Sequence, residues 1–180
     1  MEVVEDFSIK SKKTHLVIFA VYFLAAFFIL LMGIKIIQNM NTVYAQESAT
    51  ASQNLSIPAI GLDTPVTTVE YTGTELSVPH KIAGAYTAHD NKTLLFGHSS
   101  TVFNELKNLR INDEISYNGK KYEIVSIENK EKSSISMKEI LKEETTDTIV
   151  LMTCSGEPIP NTDADYTHRL IITAVTNQRK

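Results

Sequence analysis

The chain is poor in cysteine, lacks tryptophan and has no excess of positive charge. Its 180 residues contain one cysteine, Cys154, so no disulfide can form within one molecule. The thiol is either free and reactive, bonded to another chain, or simply buried. The formal net charge is −4, which argues against a nucleic-acid partner because such a partner calls for a basic surface.

One long hydrophobic run lies near the N-terminus. Residues 16–34 contain no charged side chain, and a helix of that length at about 1.5 Å per residue crosses a bilayer core of about 30 Å. Lys10, Lys12 and Lys13 precede the run and Lys35 ends it. This asymmetry favours an N-terminus inside and a C-terminus outside the cell. The alternative is a signal peptide cleaved after Val43–Ala45.

These features predict four regions. Residues 1–15 form a cytoplasmic N-terminus and residues 16–37 a transmembrane anchor. Residues 38–54 are polar and small and form a linker on the outer surface. Residues 55–180 then form one folded outer domain, for which the length is suitable.

The outer domain has the pattern of a mostly β protein. Pro58 and Gly61 separate two short strands, and "TLLFG" at 93–97 is a short apolar strand. Asn118-Gly119 predicts a type I′ hairpin turn between two alternating strands. "DTIVLMTC" and "THRLIITAVT" are the last two strands. Seven or eight short strands favour a closed or nearly closed barrel.

Two short helices are expected between the strands. "TVFNELKNL" places Val102, Leu106 and Leu109 on one helical face. "SSISMKEILKEE" has serine capping residues and apolar residues at helical spacing, so a capped helix is predicted there.

The single cysteine has a distinctive position. Cys154 closes the apolar stretch "TIVLMTC", and Gly156 and Pro158 are expected to end that strand. A lone cysteine is usually a small buried hydrophobe. A nucleophilic cysteine instead needs a base or cation beside it and a donor for the oxyanion.

Two other strand ends supply suitable partners. His98 in "LLFGHSS" follows a buried strand, and Arg169 in "THRLIITAV" opens the last strand, which is expected to pair beside Cys154. His80, His89 and His168 are expected to be surface or loop residues. The loop "NTDADY" starts like a calcium loop, but Tyr166 and Ile172 stand where that loop needs Gly and Glu, so a polar loop is predicted.

The order "GHSS", "LMTC", "HRL" resembles the sortases, the membrane-anchored cysteine transpeptidases of Gram-positive and related bacterial surfaces. The family motif is Thr-Leu-x-Thr-Cys, and Val150 stands here in place of the first threonine. "IPAIGLDTPV" resembles the family's first barrel strands, and "FNELKNLRINDEISY" resembles the segment after its histidine. The resemblance extends over most of the outer domain.

The resemblance implies an eight-stranded β-barrel with short helices behind one N-terminal transmembrane helix. It implies that Cys154 attacks the Thr–Gly bond of a Leu-Pro-x-Thr-Gly-like sorting signal. His98 acts as general acid and then base, Arg169 binds substrate or the oxyanion, and Thr153 supports the site. No metal or cofactor is implied, while calcium dependence stays open.

The implied partners are surface proteins that carry a C-terminal sorting signal, and an amine on a peptidoglycan precursor or a pilin lysine. The implied location is the bacterial cell membrane, with a single span and the catalytic domain outside. Neither the exact signal nor the acceptor, sortase class or oligomeric state follows from the sequence.

Two other functions are consistent with the residues. One is a secreted cysteine peptidase that transfers acyl groups only to water, although many such enzymes place the cysteine before the histidine. The other is a non-catalytic anchored barrel that binds partners. Thiol reactivity that depends on His98 would exclude the binding module. Product analysis with and without an added amine separates the peptidase from a transpeptidase, because only a transpeptidase joins the acyl group to the amine.

Overall fold

The computed structural model describes residues 22–24, 27–36, 38, 53–70, 78–162 and 165–176. The chain divides into two compact units, residues 1–43 and 44–180. In the first unit, residues 22–24, 27–36 and 38 are helical. Within the described part of the chain, no helix has both the length and the apolar character required to span a bilayer. The predicted anchor at 16–37 lies partly outside that part.

The second unit is a closed barrel of eight strands, as expected. The strands are listed in chain order: β1 Gln53–Ile57, β2 Leu62–Thr68, β3 Ala83–His89, β4 Lys92–Phe96, β5 Glu114–Tyr117, β6 Lys120–Glu131, β7 Thr148–Pro158 and β8 Tyr166–Thr176. Around the barrel their order is β1-β2-β3-β4-β7-β8-β6-β5, and β5 pairs with β1 to close it. The β2–β3 and β4–β7 pairs are parallel, and the others are antiparallel.

The predicted turns are present. Pro58 begins a 3₁₀ turn, Pro58–Ile60, which ends at Gly61 with a φ of 63°, the left-handed conformation that glycine adopts without strain. Asn118 and Gly119 both have positive φ, 50° and 76°, as a type I′ hairpin between β5 and β6 requires.

Strand β3 was not predicted. Its sequence, AGAYTAH, is rich in small residues and weak in the β-branched residues that mark strands. Ala83 and Ala85 nevertheless lie in the core. A Cβ at Gly84 would come within 2.7 Å of the Phe96 ring, so glycine is what allows that ring to lie across β3.

The helices are shorter than predicted. The first is a 3₁₀ turn, Leu106–Asn108, and its buried contacts come from Phe103, Leu106 and Leu109, with Val102 only partly buried. After a further 3₁₀ turn, Lys132–Ser134, the second is one α-helical turn, α1, Met137–Ile140.

The prediction of side-chain capping at α1 is wrong. Ser136 is the N-cap residue, but its side chain makes no capping bond. Its carbonyl accepts hydrogen bonds from the N–H groups of Glu139 and Ile140.

Strand β7 does not end near Cys154, contrary to expectation. It continues to Pro158 because β8 remains paired with it. Gly156 has a φ of 78°, and the register shifts between Ser155 and Pro158. The glycine therefore makes a bulge rather than a strand end, and Pro158 is tolerated at the final residue.

Side chains of the central strands face two apolar layers. Leu95, Leu151 and Ile172 belong to the barrel core. Their neighbours along each strand point to the opposite face. These neighbours form a second, outer cluster: Leu94, Phe96, Val150 and Ile171. Residues of the β6–β7 connection, Ile135, Met137, Ile140 and Leu141, pack against this outer cluster.

Candidate active site

Cys154 and Arg169 face each other across two antiparallel strands. Cys154 on β7 is the direct backbone partner of Arg169 on β8. Leu170 and Ile172 point into the core, so strand alternation places Arg169 on the outer face. The same alternation places Cys154 on the face of Val150 and Met152. The predicted pairing of the last strand with the strand of Cys154 is present.

His98 reaches the same end of the barrel through the parallel β4–β7 pair. The last paired residues are Phe96 and Met152, and two residues further along each chain come His98 and Cys154. Parallel strands are separated by about 4.8 Å. Their carboxyl ends therefore deliver the histidine and the cysteine to one rim.

Thr153 links strand β7 to the end of strand β4 by a hydrogen bond. Its hydroxyl donates a buried 2.7 Å hydrogen bond to the Gly97 carbonyl, and Thr153 itself is 5% exposed. Gly97 and Thr153 are the chain neighbours of His98 and Cys154. The bond thus fixes the backbone from which both side chains leave.

Gly97 also has to be glycine for this rim to form. A Cβ at that position would lie 2.5 Å from Cγ1 of Val102 and 3.2 Å from the Phe103 ring. The turn that follows His98 folds back onto Gly97, since the N–H of Phe103 donates to the His98 carbonyl at 3.0 Å. A side chain at Gly97 would push this turn away from the rim.

The thiol of Cys154 is free and half-buried. A cleft of about 310 Å³ opens beside it. The side chains around the cleft are both polar and apolar and include Ser99, Phe103, Asn104, Lys107, Tyr166 and Leu170. A nucleophile here is accessible to the carbonyl of an acyl donor without being exposed on an open surface.

The guanidinium of Arg169 is held in place by its own strand and by the loop that precedes it. Nη1 donates to the carbonyls of Tyr166 and His168 at 3.0 and 2.9 Å, and Nη2 donates to Oδ1 of Asp165 at 2.8 Å. Because these bonds fix the plane of the fork, Arg169 can present donors in a defined direction.

The ion pairs of Asp165 were not predicted from the sequence. Asp165 binds Lys132 as well as Arg169. A hydrogen bond from Lys132, followed by one from Arg169, holds the pKa of the Asp165 carboxyl well below its ordinary value. Asp165 belongs to the loop that was predicted only to be polar, and no local pattern indicates which residue a loop carboxylate will meet. Residues 163–164 of that loop lie outside the described residues.

The other described histidines differ in position. His89 is exposed at the end of β3, and His80 is exposed in a bend before β3, as expected for both. His168 was expected to be a surface or loop residue, but it lies within β8 between Ser155 and Glu131. Its Nδ1 is 2.8 Å from the Thr167 hydroxyl, so the long β8 strand rather than a loop positions it.

A larger cleft of about 800 Å³ lies where β6, β7 and β8 extend. It is lined by Glu131, Lys132, Ser133, Glu157, Ile159, Thr167 and His168. Cys154 is not among these residues, so we place the candidate site at the smaller cleft, where the thiol is. In the part of the chain that the structure describes, no three His, Cys, Asp or Glu side chains are grouped to hold a metal ion.

The chain was compared with models of protein families and with solved structures. The model of the Sortase domain matches residues 55–177. Among solved structures, sortase A of Listeria monocytogenes superposes with a TM-score of 0.54 at 13% identity, covering 72% of this chain and 88% of that one. A lid mutant of sortase A from Corynebacterium diphtheriae gives 0.53 at 22% identity, covering 73% and 72%.

A pilus-related sortase C of Group B Streptococcus gives a TM-score of 0.51 at 19% identity, covering 73% of this chain and 69% of that one. A search of curated proteins finds no match. The three structures share the barrel fold with this chain, and the family model spans nearly all of its folded domain. The chain therefore belongs to the sortase family, whose members are cysteine transpeptidases.

Proposed function

We propose that this protein cleaves a Leu-Pro-x-Thr-Gly-like sorting signal between Thr and Gly, and transfers the new carboxyl end to an amine. The observation that carries the proposal is the backbone pairing of Cys154 with Arg169, beside a hydrogen bond from the Thr153 hydroxyl to the carbonyl of Gly97, the residue before His98. A thiol, an imidazole and a guanidinium at one rim are the groups that acyl transfer through a thioester requires.

The steps follow from those groups. The Cys154 thiolate attacks the threonine carbonyl carbon, and Arg169 donates hydrogen bonds to the oxyanion or to the substrate near it. The carbon–nitrogen bond breaks as His98 gives its proton to the leaving glycine amine. The thioester then reacts with an incoming amine, which loses a proton to His98 as the carbon–sulfur bond breaks. The enzyme returns to its starting state.

The proposed chemistry requires no metal or other cofactor. Each proton is carried by His98, and the developing charge is met by Arg169. Measuring transfer with a chelator and then with added calcium tests whether calcium modulates the enzyme.

We propose the bacterial cell membrane as the location. In this arrangement residues 1–15 are cytoplasmic, residues 16–37 anchor the protein, residues 38–54 link it and residues 55–180 carry the activity outside. The uncharged run 16–34 behind three lysines supports this orientation. Such an anchor keeps the site close to surface proteins as they leave the membrane.

Two acceptors are consistent with the proposed chemistry: an amine of a peptidoglycan precursor, or a lysine of a pilin subunit. The relatives of known structure include proteins named sortase A and a protein named pilus-related sortase C. Both kinds of acceptor therefore belong in the test.

The test is mass spectrometry of the outer domain mixed with a library of sorting-signal peptides. We expect a thioester adduct on Cys154 that Cys154→Ala does not form. Adding triglycine or a pilin-like lysine peptide should convert the adduct into a transfer product. Release to water alone would favour a peptidase, and no adduct with any peptide, together with slow alkylation independent of His98, would favour a binding module.

A further inference from the structure

Two histidine rings stack at the edge of the site. The ring centroids of His80 and His98 are 6.0 Å apart and their planes differ by 18°. Aromatic rings in this range of distance attract each other, and a ring packed against another turns less freely than one in open solvent. His80 lies 18 positions before His98 in the chain, on a different segment.

A single residue joins the backbones of the two segments. The hydroxyl of Thr101 donates to the His80 carbonyl at 2.8 Å. The N–H of Thr101 approaches the His98 carbonyl at 3.2 Å and donates to it. Two hydrogen bonds donated by one threonine therefore hold the backbones that carry the two rings next to each other.

The segment before His80 is also seated closely on the barrel. A Cβ at Gly84 would lie 3.1 Å from Cδ of Pro79, tighter than an ordinary contact. Pro79 has a fixed φ, and it immediately precedes His80. The bend that carries His80 is thus held against β3.

We infer that His80 is a positioning residue for His98: its stacked ring holds the imidazole of His98 in the orientation from which it exchanges protons beside Cys154. The inference rests on the role proposed for His98. A general acid works only within hydrogen-bond reach and in the right direction, and small displacements of a reacting group cost rate steeply. A ring that can rotate freely loses that direction for part of the time.

The experiment compares His80→Ala with His80→Phe, which keeps a flat ring at the same place. His89→Ala, at the exposed end of β3, is the matched control. Single-turnover acylation is measured with a fluorogenic peptide containing Leu-Pro-Glu-Thr-Gly, and Cys154 reactivity is measured with iodoacetamide. We expect His80→Ala to lower both rates on the order of tenfold, less than removal of a general acid, while the peptide concentration that gives half-maximal acylation stays unchanged. His80→Phe should recover most of the loss, and His89→Ala should match wild type.

The decisive measurement uses the double variant that combines His80→Ala with His98→Ala. If His80 acts through His98, His80→Ala should cause no further loss in a His98→Ala background, because residues acting as a unit are not additive. Thr101→Val should also slow both rates, since it removes the bond to the His80 carbonyl. Additive losses, a His80→Phe rate as low as that of His80→Ala, or a wild-type rate for His80→Ala would overturn the inference.

The iodoacetamide arm separates this inference from the proposed function. If wild type cleaves none of the peptide but alkylation depends on His98 and His80 non-additively, the positioning role stands and the transpeptidase proposal fails. If alkylation does not depend on His98, the positioning role is overturned whatever the peptide result.

Discussion

The Thr153 hydroxyl donates a buried hydrogen bond to the carbonyl of Gly97, 56 positions earlier in the chain. This bond links strand β7 to the residue that follows strand β4, and the next residue in each segment, Cys154 or His98, is a candidate for the chemistry. The site is therefore supported by a hydrogen bond between neighbours of the reacting residues as well as by the reacting side chains themselves. The experiments that follow separate this support from the chemistry itself.

Thr153→Val removes that donor and leaves a buried carbonyl without its partner. We expect the free energy of unfolding to fall by about 1–3 kcal/mol, measured by urea denaturation. The acylation rate per folded molecule should also fall, because the rim that carries His98 and Cys154 loosens.

Thr148→Val is the matched control for this change. Thr148 is buried on the same strand, and its hydroxyl donates to the Thr146 carbonyl at 2.8 Å, far from the cysteine. It should lower stability similarly and leave acylation unchanged. Equal losses of acylation in both variants would mean that Thr153 acts only through general stability.

His98→Ala should lower acylation by roughly 10²–10⁴-fold, the usual contribution of a general acid. His168→Ala should change little, because His168 lies on the long extension of β8 and contacts Thr167. Single-turnover acyl-enzyme formation across pH distinguishes the two. An active His98→Ala beside an inactive His168→Ala would assign the proton transfer to the other histidine.

Arg169→Lys tests whether charge or geometry matters at the partner of Cys154. Arg169 is fixed by three hydrogen bonds, two to carbonyls of its own strand and one to Asp165 in the preceding loop, and lysine lacks the planar fork that makes them. We expect Arg169→Lys to lose nearly as much acylation as Arg169→Ala. Recovery of most of the rate by lysine would show that positive charge alone is sufficient.

Asp165→Asn should reduce stability at neutral pH and less so in acid. The folded state lowers the pKa of this carboxyl from an ordinary value of about 3.9, so the unfolded chain takes up the proton first as the pH falls. The contribution of the two ion pairs is thus fully present above about pH 5 and is lost progressively below it. Melting temperatures from pH 7 to 3 should show the wild type and Asp165→Asn converging.

Glu143→Gln is the control for Asp165→Asn, since Glu143 is exposed on the β6–β7 connection. Its melting temperature should follow that of wild type across the same range. Parallel curves for wild type and Asp165→Asn would contradict a stabilising role for the Asp165 pairs.

The proposed anchor predicts that full-length protein stays in the membrane after an alkaline carbonate wash. External protease should release a folded domain that begins in the linker, between residues 41 and 54. Recovery of a soluble mature chain beginning at Gln46 would show instead that Val43–Ala45 is a cleavage site.

Several features of the fold could be predicted from short stretches of sequence. Asn118-Gly119 specified the β5–β6 hairpin because few other residues adopt positive φ twice in succession. The apolar stretches before His98 and Cys154 indicated buried strands, and the order of the three motifs indicated the family. These signals lie within a few residues of each other, so one sequence suffices to detect them.

Contacts between distant segments were decided by the tertiary structure. Strand β3 has no strong strand signal and forms because Ala83 and Ala85 fill the core between neighbours. Strand β7 continues past Cys154 because β8 remains paired with it. The bond from Thr153 to Gly97, the ion pairs of Asp165 and the stack of His80 on His98 join residues whose proximity depends on how the barrel closes. The sequence determined which groups could react, and barrel closure decided which residues hold them in place, because such contacts exist only after distant strands have paired.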